Sequence, residues 1–362
     1  MEKQNIDRTK EKGKSIRCYK SKYCIKCLLL SLPFLLLVVL YVKKDPFLVL
    51  RKYKDYDHSN ICLNEGAIGW YKYKLFRDKA HYDSFIMGTS CTMAYRCEDW
   101  NKHIHAHPYR FFSNSEGLAD LYLKLSALDK QPNQPIKNLL FIFENGLLTK
   151  DYMQTDAMHI MPPEISKVNK VTYQMTFLQN FFNPLFLAPY LKYEFTHRYE
   201  HSMKGIINPY GVSHTGYNNN AIYPNEYKIR KLKENYWKET CWKELEAQSK
   251  HPKEFPRAIF HSQISYLNKI KAICNKHHTN IKIVFGPYLE KCYINRQDVA
   301  MLKQIFGNEN VFDFSHSTNW HLFDKHNFYD RAHYRITLGK KIIDSIYANE
   351  TNGNTKEVRY RT

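Results

Sequence analysis

A chain of 362 residues is long enough for two or three domains, or for one α/β domain carrying insertions. Hydrophobic residues make up 43% and aromatic residues 15%, so most of the chain can bury a core. The formal net charge is +19, unevenly spread: residues 1–60 hold 14 Lys+Arg against 6 Asp+Glu. With no zinc-finger, RNP or basic-zipper pattern, that charge argues against a nucleic-acid partner and for anionic lipid or an acidic polymer.

Residues 1–26 are polar, carry nine Lys+Arg and read as a disordered basic cytoplasmic tail. Residues 27–42 form an uncharged run flanked by Lys26 and Lys43-Lys44. Sixteen residues fall just short of a usual span, and flanking lysines that snorkel make up part of the deficit. A cleaved signal peptide is the competing reading, but Val42-Lys43-Lys44-Asp45-Pro46 is a poor small-x-small site. The run therefore reads as a transmembrane signal anchor with the bilayer as partner. Nine basic residues precede it and five follow up to Lys54, so the N-terminus is expected in the cytoplasm and the rest of the chain outside.

Residues 43–80 are a lead-in with no clear period. A domain over 81–348 follows, with a polar tail at 349–362. Strand signals fall at 83–87, 109–113, 136–143, 281–285 and 311–314. Helix signals fall at 91–103, 117–128, 258–277, 296–306 and 337–348. This alternation predicts an α/β fold with a parallel, doubly wound five-stranded sheet. An aromatic-rich insertion at about 147–257 interrupts it; its 172–223 part could stack sugar rings or pack as a cap on the sheet. The same stretch ends in a charged helix predicted over 226–248.

Ligands of such sheets bind beyond the carboxyl ends of the strands, where Ser90, Asn114, Asn145, Pro287 and Ser315 all fall. In Asp83-Ser-Phe-Ile-Met-Gly-Thr-Ser-Cys-Thr92 the apolar run gives out at Gly88, and Ser90 sits on the turn into a helix. Asp330-Arg-Ala-His333 places a carboxylate and an imidazole three residues apart near the other end. Acyl transfer needs these three types: a hydroxyl, a base to take its proton, and an anion to fix the base's tautomer. The bland alternatives are a helix N-cap for Ser90 and a cap on its own turn for Asp330.

Other chemistry finds less support. No Walker or dinucleotide glycine pattern occurs, so no nucleotide cofactor is implied. His103-Ile-His-Ala-His107 alternates as a metal-binding strand would, yet no carboxylate or cysteine set converges on it in sequence and no metal is expected. The one CxxC, Cys24-Ile-Lys-Cys27, abuts the apolar run, and the six later cysteines (62, 91, 97, 241, 274, 292) could pair in an oxidising compartment.

These residues resemble the SGNH (GDSL-like) hydrolase superfamily. The similarity is closest to its membrane-anchored bacterial branch of envelope-polysaccharide acetylation and D-alanine transfer proteins. Gly88-Thr-Ser90 is similar to the family's Gly-x-Ser block. Phe328-Tyr-Asp-Arg-Ala-His-Tyr-Arg-Ile-Thr-Leu-Gly339 is similar to its closing Asp-x-x-His block, with Val311-Phe-Asp-Phe-Ser315 as the strand before it. The resemblance covers about 83–145 and 258–348. It implies Ser90 as nucleophile, His333 as general base and Asp330 as the orienting carboxylate. It further implies an oxyanion hole from the Ser90 N–H, Gly117 and Asn145, although Glu144-Asn145-Gly146 departs from the family's Gly-x-Asn-Asp. The implied function is a cofactor-free serine esterase or acyltransferase acting on an envelope glycan or acyl carrier. A catalytically silent glycan-binding or assembly protein of the same fold is the alternative.

Overall fold

The computed structural model describes residues 23, 25–212, 214–316 and 321–358, with side chains as far as 348. The expected basic tail lies almost wholly outside the described residues. The chain divides into two compact units, Met1–Lys52 and Tyr53–Thr362.

In the first unit, one helix, α1 (Ile25–Lys44), is 20 residues long and mostly solvent-facing, with a mean hydropathy of 2.5. At 1.5 Å per residue it is about 30 Å long, so it is long and apolar enough to cross a bilayer. It outruns the uncharged run because a helix needs only backbone hydrogen bonds to continue through Lys26, Lys43 and Lys44. Its C-terminal end is capped from downstream. The Arg51 guanidinium donates to the Val42 and Lys43 carbonyls at 2.7 and 2.9 Å, and Asp45, in the left-handed region (φ 41°), turns the chain. The Asp45 carboxylate then accepts the Val49 and Leu50 N–H groups at 3.0 and 2.9 Å.

The second unit opens on α2 (Glu65–Ala80), which sequence periodicity missed. Gly66, Ala67, Ile68, Gly69, Trp70, Lys72 and Tyr73 are all buried, so its first half has no polar face to create a period. Five strands then build the sheet: β1 (Ser84–Gly88), β2 (Pro108–Arg110), β3 (Asn138–Phe143), β4 (Asn280–Phe285) and β5 (Val311–Asp313). Their order is β2-β1-β3-β4-β5 and every neighbouring pair is parallel. Phe85 lies level with Tyr109 on one side and Leu139 on the other, and Phe141 is level with Ile283.

Parallel strands covered on both faces read as continuous apolar runs, which is why these five were legible. Alternate residues feed two cores. Phe85, Met87, Leu139, Phe141, Ile283 and Phe285 pack on one face with residues of α2 and of the later helices α4 (Leu118–Asp129), α9 (His261–His277) and α10 (Arg296–Phe306). Ile86, Leu140, Ile142 and Val284 pack on the other with α3 (Cys97–Ile104), α8 (Thr240–Gln248) and the closing helix α11 (Ile336–Val358).

Between β3 and α9 lie α5 (Lys170–Phe182), α6 (Pro184–Thr196), α7 (Pro224–Leu232) and α8. Phe181 packs against Phe186 and Tyr190, with ring centroids at 6.2 and 5.8 Å. Tyr199, Tyr210 and Tyr217 stay exposed. The single helix expected over 226–248 is broken, because Lys233 takes φ 50° and a 3₁₀ stretch, Lys233–Lys238, replaces the α-turn. Likewise 91–103 divides into a 3₁₀ turn, Ser90–Ala94, and α3.

Gly88 decides how β1 ends. It sits at φ 145°, and a Cβ there would lie 2.2 Å from the Ile142 carbonyl oxygen of β3. Both the backbone conformation and the interstrand space exclude a side chain. Gly88→Ala is expected to destabilise the folded unit by roughly 3–5 kcal/mol, read as a lower denaturant midpoint. An unchanged midpoint would refute this account of the strand end.

Candidate functional site

The turn after β1 presents Ser90 half-buried at the first position of its 3₁₀ helix. Thr89, not Ser90, is the N-cap: its hydroxyl accepts from the Cys91 N–H at 3.4 Å. This leaves the Ser90 hydroxyl free for other partners. The adjacent Cys91 is buried, its thiol donates to the Ala332 carbonyl at 3.3 Å, and burial holds it protonated well above the usual thiol range. The serine oxygen, not the thiol, is therefore the candidate nucleophile at this turn.

The Asp-x-x-His loop comes to that turn because α11 packs directly on it. Gly339 makes the approach possible, since a Cβ at that position would fall 2.0 Å from the Ala94 carbonyl. The loop is a tight reversal closed by a bridge between Phe328 and Tyr334 and by the Tyr329 N–H donating to the His333 carbonyl at 2.8 Å. The Tyr334 hydroxyl donates to that of Tyr95 at 2.9 Å, which pins the loop to the segment after Ser90.

Ser90 Oγ lies 2.8 Å from His333 Nε2, although the two residues are 243 positions apart in sequence. His333 Nδ1 lies 2.9 and 3.0 Å from the two Asp330 oxygens. Asp330 Oδ1 also accepts the backbone N–H groups of Ala332 and His333, each at 2.9 Å, so one short loop orients both carboxylate and imidazole. Burial disfavours the Asp330 carboxylate, but the hydrogen bond and charge of His333 and the two backbone donors outweigh it and hold its pKa below the usual carboxylate value. Burial likewise disfavours protonated His333, and the Asp330 hydrogen bond and charge, with Glu144 behind them, outweigh that and raise the imidazole pKa.

The structure brings Ser90, His333 and Asp330 into one hydrogen-bonded chain; it does not join Gly117 or Asn145 to them. Gly117 caps α4 after β2, and a side chain there would meet Lys150 at 2.7 Å. Asn145 opens a short helix after β3, its N–H donates to Tyr288 Oη at 3.2 Å, and its side-chain oxygen is buried with no hydrogen-bond partner among the described residues. Both lie on the same edge of the sheet as Ser90. Among the described residues, no hydrogen bond links either to the three. Ser315, on that edge too, is used structurally: its hydroxyl donates to Asp313 at 2.6 Å and accepts the Ile294 N–H.

Five side chains that sequence reasoning assigned no role surround the chain. The Thr89 hydroxyl donates to Glu144, which puts a carboxylate beside the serine turn. Tyr223 stacks on Tyr329 with centroids 4.0 Å apart and stands 6.4 Å from the His333 ring. Glu226 clamps the loop, accepting from Arg335 Nε and Nη2 at 3.0 and 2.9 Å and from Tyr329 Oη at 2.6 Å. Tyr236 Oη and Trp237 Nε1 donate to the Tyr329 and Phe328 carbonyls at 2.7 and 3.3 Å. One task of the segment from Tyr223 through α8 is thus to hold the loop that carries Asp330 and His333. A cleft of about 490 Å³ opens beside Asp330 and Arg331, walled by Lys228, Leu232, Trp242 and Leu245.

The three histidines of 103–107 do not share a strand. His103 lies in the last turn of α3, bonded to Asp344 at 3.1 Å and stacked on Tyr347, while His105 is the left-handed cap of that helix. Among the described residues, no group of three or more metal-ligating side chains converges, and every described cysteine is a free thiol.

Glu144 yields a test. Glu144→Gln keeps an oxygen to accept the Thr89 hydroxyl but removes a charge that raises the His333 pKa. A base must be neutral to act, so the acid limb of any Ser90-dependent reaction is expected to move to lower pH in this variant. A pH–rate profile superimposable on that of the wild type would show that Glu144 is electrostatically irrelevant to the imidazole. No protein-family model and no curated protein matches this sequence.

Proposed function

We propose that this chain is a membrane-anchored serine esterase or acyltransferase of SGNH type, acting through an acyl-enzyme on an acyl ester of a cell-envelope glycan or related carrier. The observation that carries this reading is the chain Ser90 Oγ to His333 Nε2 and His333 Nδ1 to Asp330, at 2.8 and 2.9 Å. In the first half-reaction Ser90 Oγ bonds to the acyl carbon as His333 takes its proton, and the imidazolium then returns that proton to the departing alkoxide. In the second, His333 takes a proton from water or a sugar hydroxyl as that oxygen bonds to the acyl carbon, and the imidazolium returns the proton to Ser90 Oγ as its ester bond breaks. No group beyond side chains and acceptor is required.

The order of the Gly-x-Ser and Asp-x-x-His blocks supports the superfamily assignment. The envelope substrate rests on the membrane-spanning reading of α1 and on the excess of Lys+Arg over the whole chain. The charge bias around α1 supports a single pass through the cytoplasmic membrane, N-terminus inside and the second unit outside.

A silent binding or assembly role has one observation in its favour. The Glu144 carboxylate beside the serine turn would oppose an oxyanion forming there. A fluorophosphonate probe separates the two readings: the wild type is expected to label and Ser90→Ala not to. A well-folded wild type that stays unlabelled overturns the enzyme reading.

A further inference from the structure

We propose that the exposed faces of α5 and α6 lie in the interfacial layer of the bilayer that α1 spans, giving the second unit its own membrane contact. The proposal rests on reading α1 as an anchor, and it commits to lipid as the occupant.

Three observations carry it. First, α6 begins Pro184-Leu-Phe-Leu-Ala-Pro-Tyr-Leu191 with no charge, yet this is not a wholly buried helix. Leu185, Ala188, Lys192 and Phe195 are spaced to share one face, and all four are exposed, Leu185 at 78% and Phe195 at 82%. On α5, Val171 and Met175, one turn apart, are exposed at 69% and 42%. A lone exposed leucine needs no explanation, but a series on two successive helices leaves apolar surface in water that burial would favour.

Second, these faces are bordered by cations. Lys167, Lys170, Lys192, Arg198 and Lys204 are all exposed, against Glu194 and Glu200 in the same stretch. Apolar residues bordered by Lys and Arg make the composition of a helix lying in a headgroup layer, where apolar side chains enter and ammonium groups stay with phosphate. Third, the second unit follows the first directly in sequence, only the eight residues 45–52 beyond the end of α1, so it is tethered to any membrane that α1 crosses. A soluble protein partner would have to be recruited to such a face; a bilayer crossed by α1 is already there.

The test uses the full chain in liposomes of phosphatidylethanolamine and phosphatidylglycerol. Leu185→p-benzoylphenylalanine probes α6, Leu35→p-benzoylphenylalanine probes α1, and Tyr227→p-benzoylphenylalanine serves as an exposed reference on α7. After irradiation, lipid adducts are expected at 35 and 185 and none at 227. Adducts at 35 without 185, or at 227 as abundantly as at 185, overturn the docking and leave the anchor standing. Loss at 35 as well overturns both. Repeated in native membranes, cross-linking of 185 to a protein instead of lipid also overturns the proposal.

Discussion

Replacing His333 by alanine is expected to slow fluorophosphonate labelling by roughly 10⁶-fold, about as much as Ser90→Ala slows turnover of an activated acyl ester. The reasoning is geometric. The serine oxygen is a poor nucleophile while it keeps its proton, and His333 Nε2, at 2.8 Å, is the base hydrogen-bonded to it. With the imidazole gone, the hydroxyl retains the position that the 3₁₀ turn gives it but loses its acceptor. Because the two residues act as one unit, Ser90→Ala/His333→Ala together is expected to be no slower on the ester than either alone. Additive losses would mean that the two side chains act independently and that the 2.8 Å contact is incidental. Circular dichroism controls for folding, and the half-buried position of both groups makes large unfolding an unexpected outcome.

The sheet and the three-residue chain were legible in the sequence for different reasons. The strands were visible because both faces are buried, so Leu139 through Phe143 could only be an interior strand. Ser90, Asp330 and His333 were visible because each sits in a short block whose spacing is local: a glycine two residues before the serine, and a carboxylate one turn from the imidazole. What could not be read was whatever depends on packing between distant segments. Nothing marks Glu226 as the partner of Arg335, or Tyr223 as the neighbour of His333, because neither lies in a periodic or spaced pattern. Glu144 left one signal, its place in the departure from Gly-x-Asn-Asp, yet only coordinates could give it the Thr89 hydroxyl as donor. The helix α2 was missed because its first half is buried nearly all round, which erases the period by which helices are recognised. Lys233 shows the remaining limit: a lysine at φ 50° breaks a helix that propensity would continue, and only its surroundings hold it there.

Asp330→Asn is expected to fold normally and to lower kcat/KM on an activated ester by about 10⁴-fold, with much the smaller share of the loss in KM. The side chain is half exposed, so losing its charge costs little stability. Its chemistry is another matter. Oδ1 accepts the Ala332 and His333 backbone N–H groups, and an asparagine oxygen can keep both. The amide nitrogen then takes the place of Oδ2, 3.0 Å from His333 Nδ1, and presents a donor where there was an acceptor. Oδ1, 2.9 Å from Nδ1, is already shared by two backbone N–H groups, so where the amide N–H displaces it Nδ1 becomes the acceptor, its proton moves to Nε2, and the imidazole turns an N–H towards Ser90. A base in that tautomer cannot receive the serine proton. The same substitution removes the largest influence holding the His333 pKa up, so the acid limb of the remaining activity should fall to lower pH. The sign is fixed by the direction of the shift: a raised imidazole pKa means the wild type loses its neutral base as pH drops through a value above about 6.5, and the variant loses it later. Asp330→Glu, which restores an acceptor on a longer arm, should recover part of the rate. If Asp330→Asn retains wild-type kcat/KM and pH profile, the carboxylate is only a turn cap and Ser90 and His333 work without it.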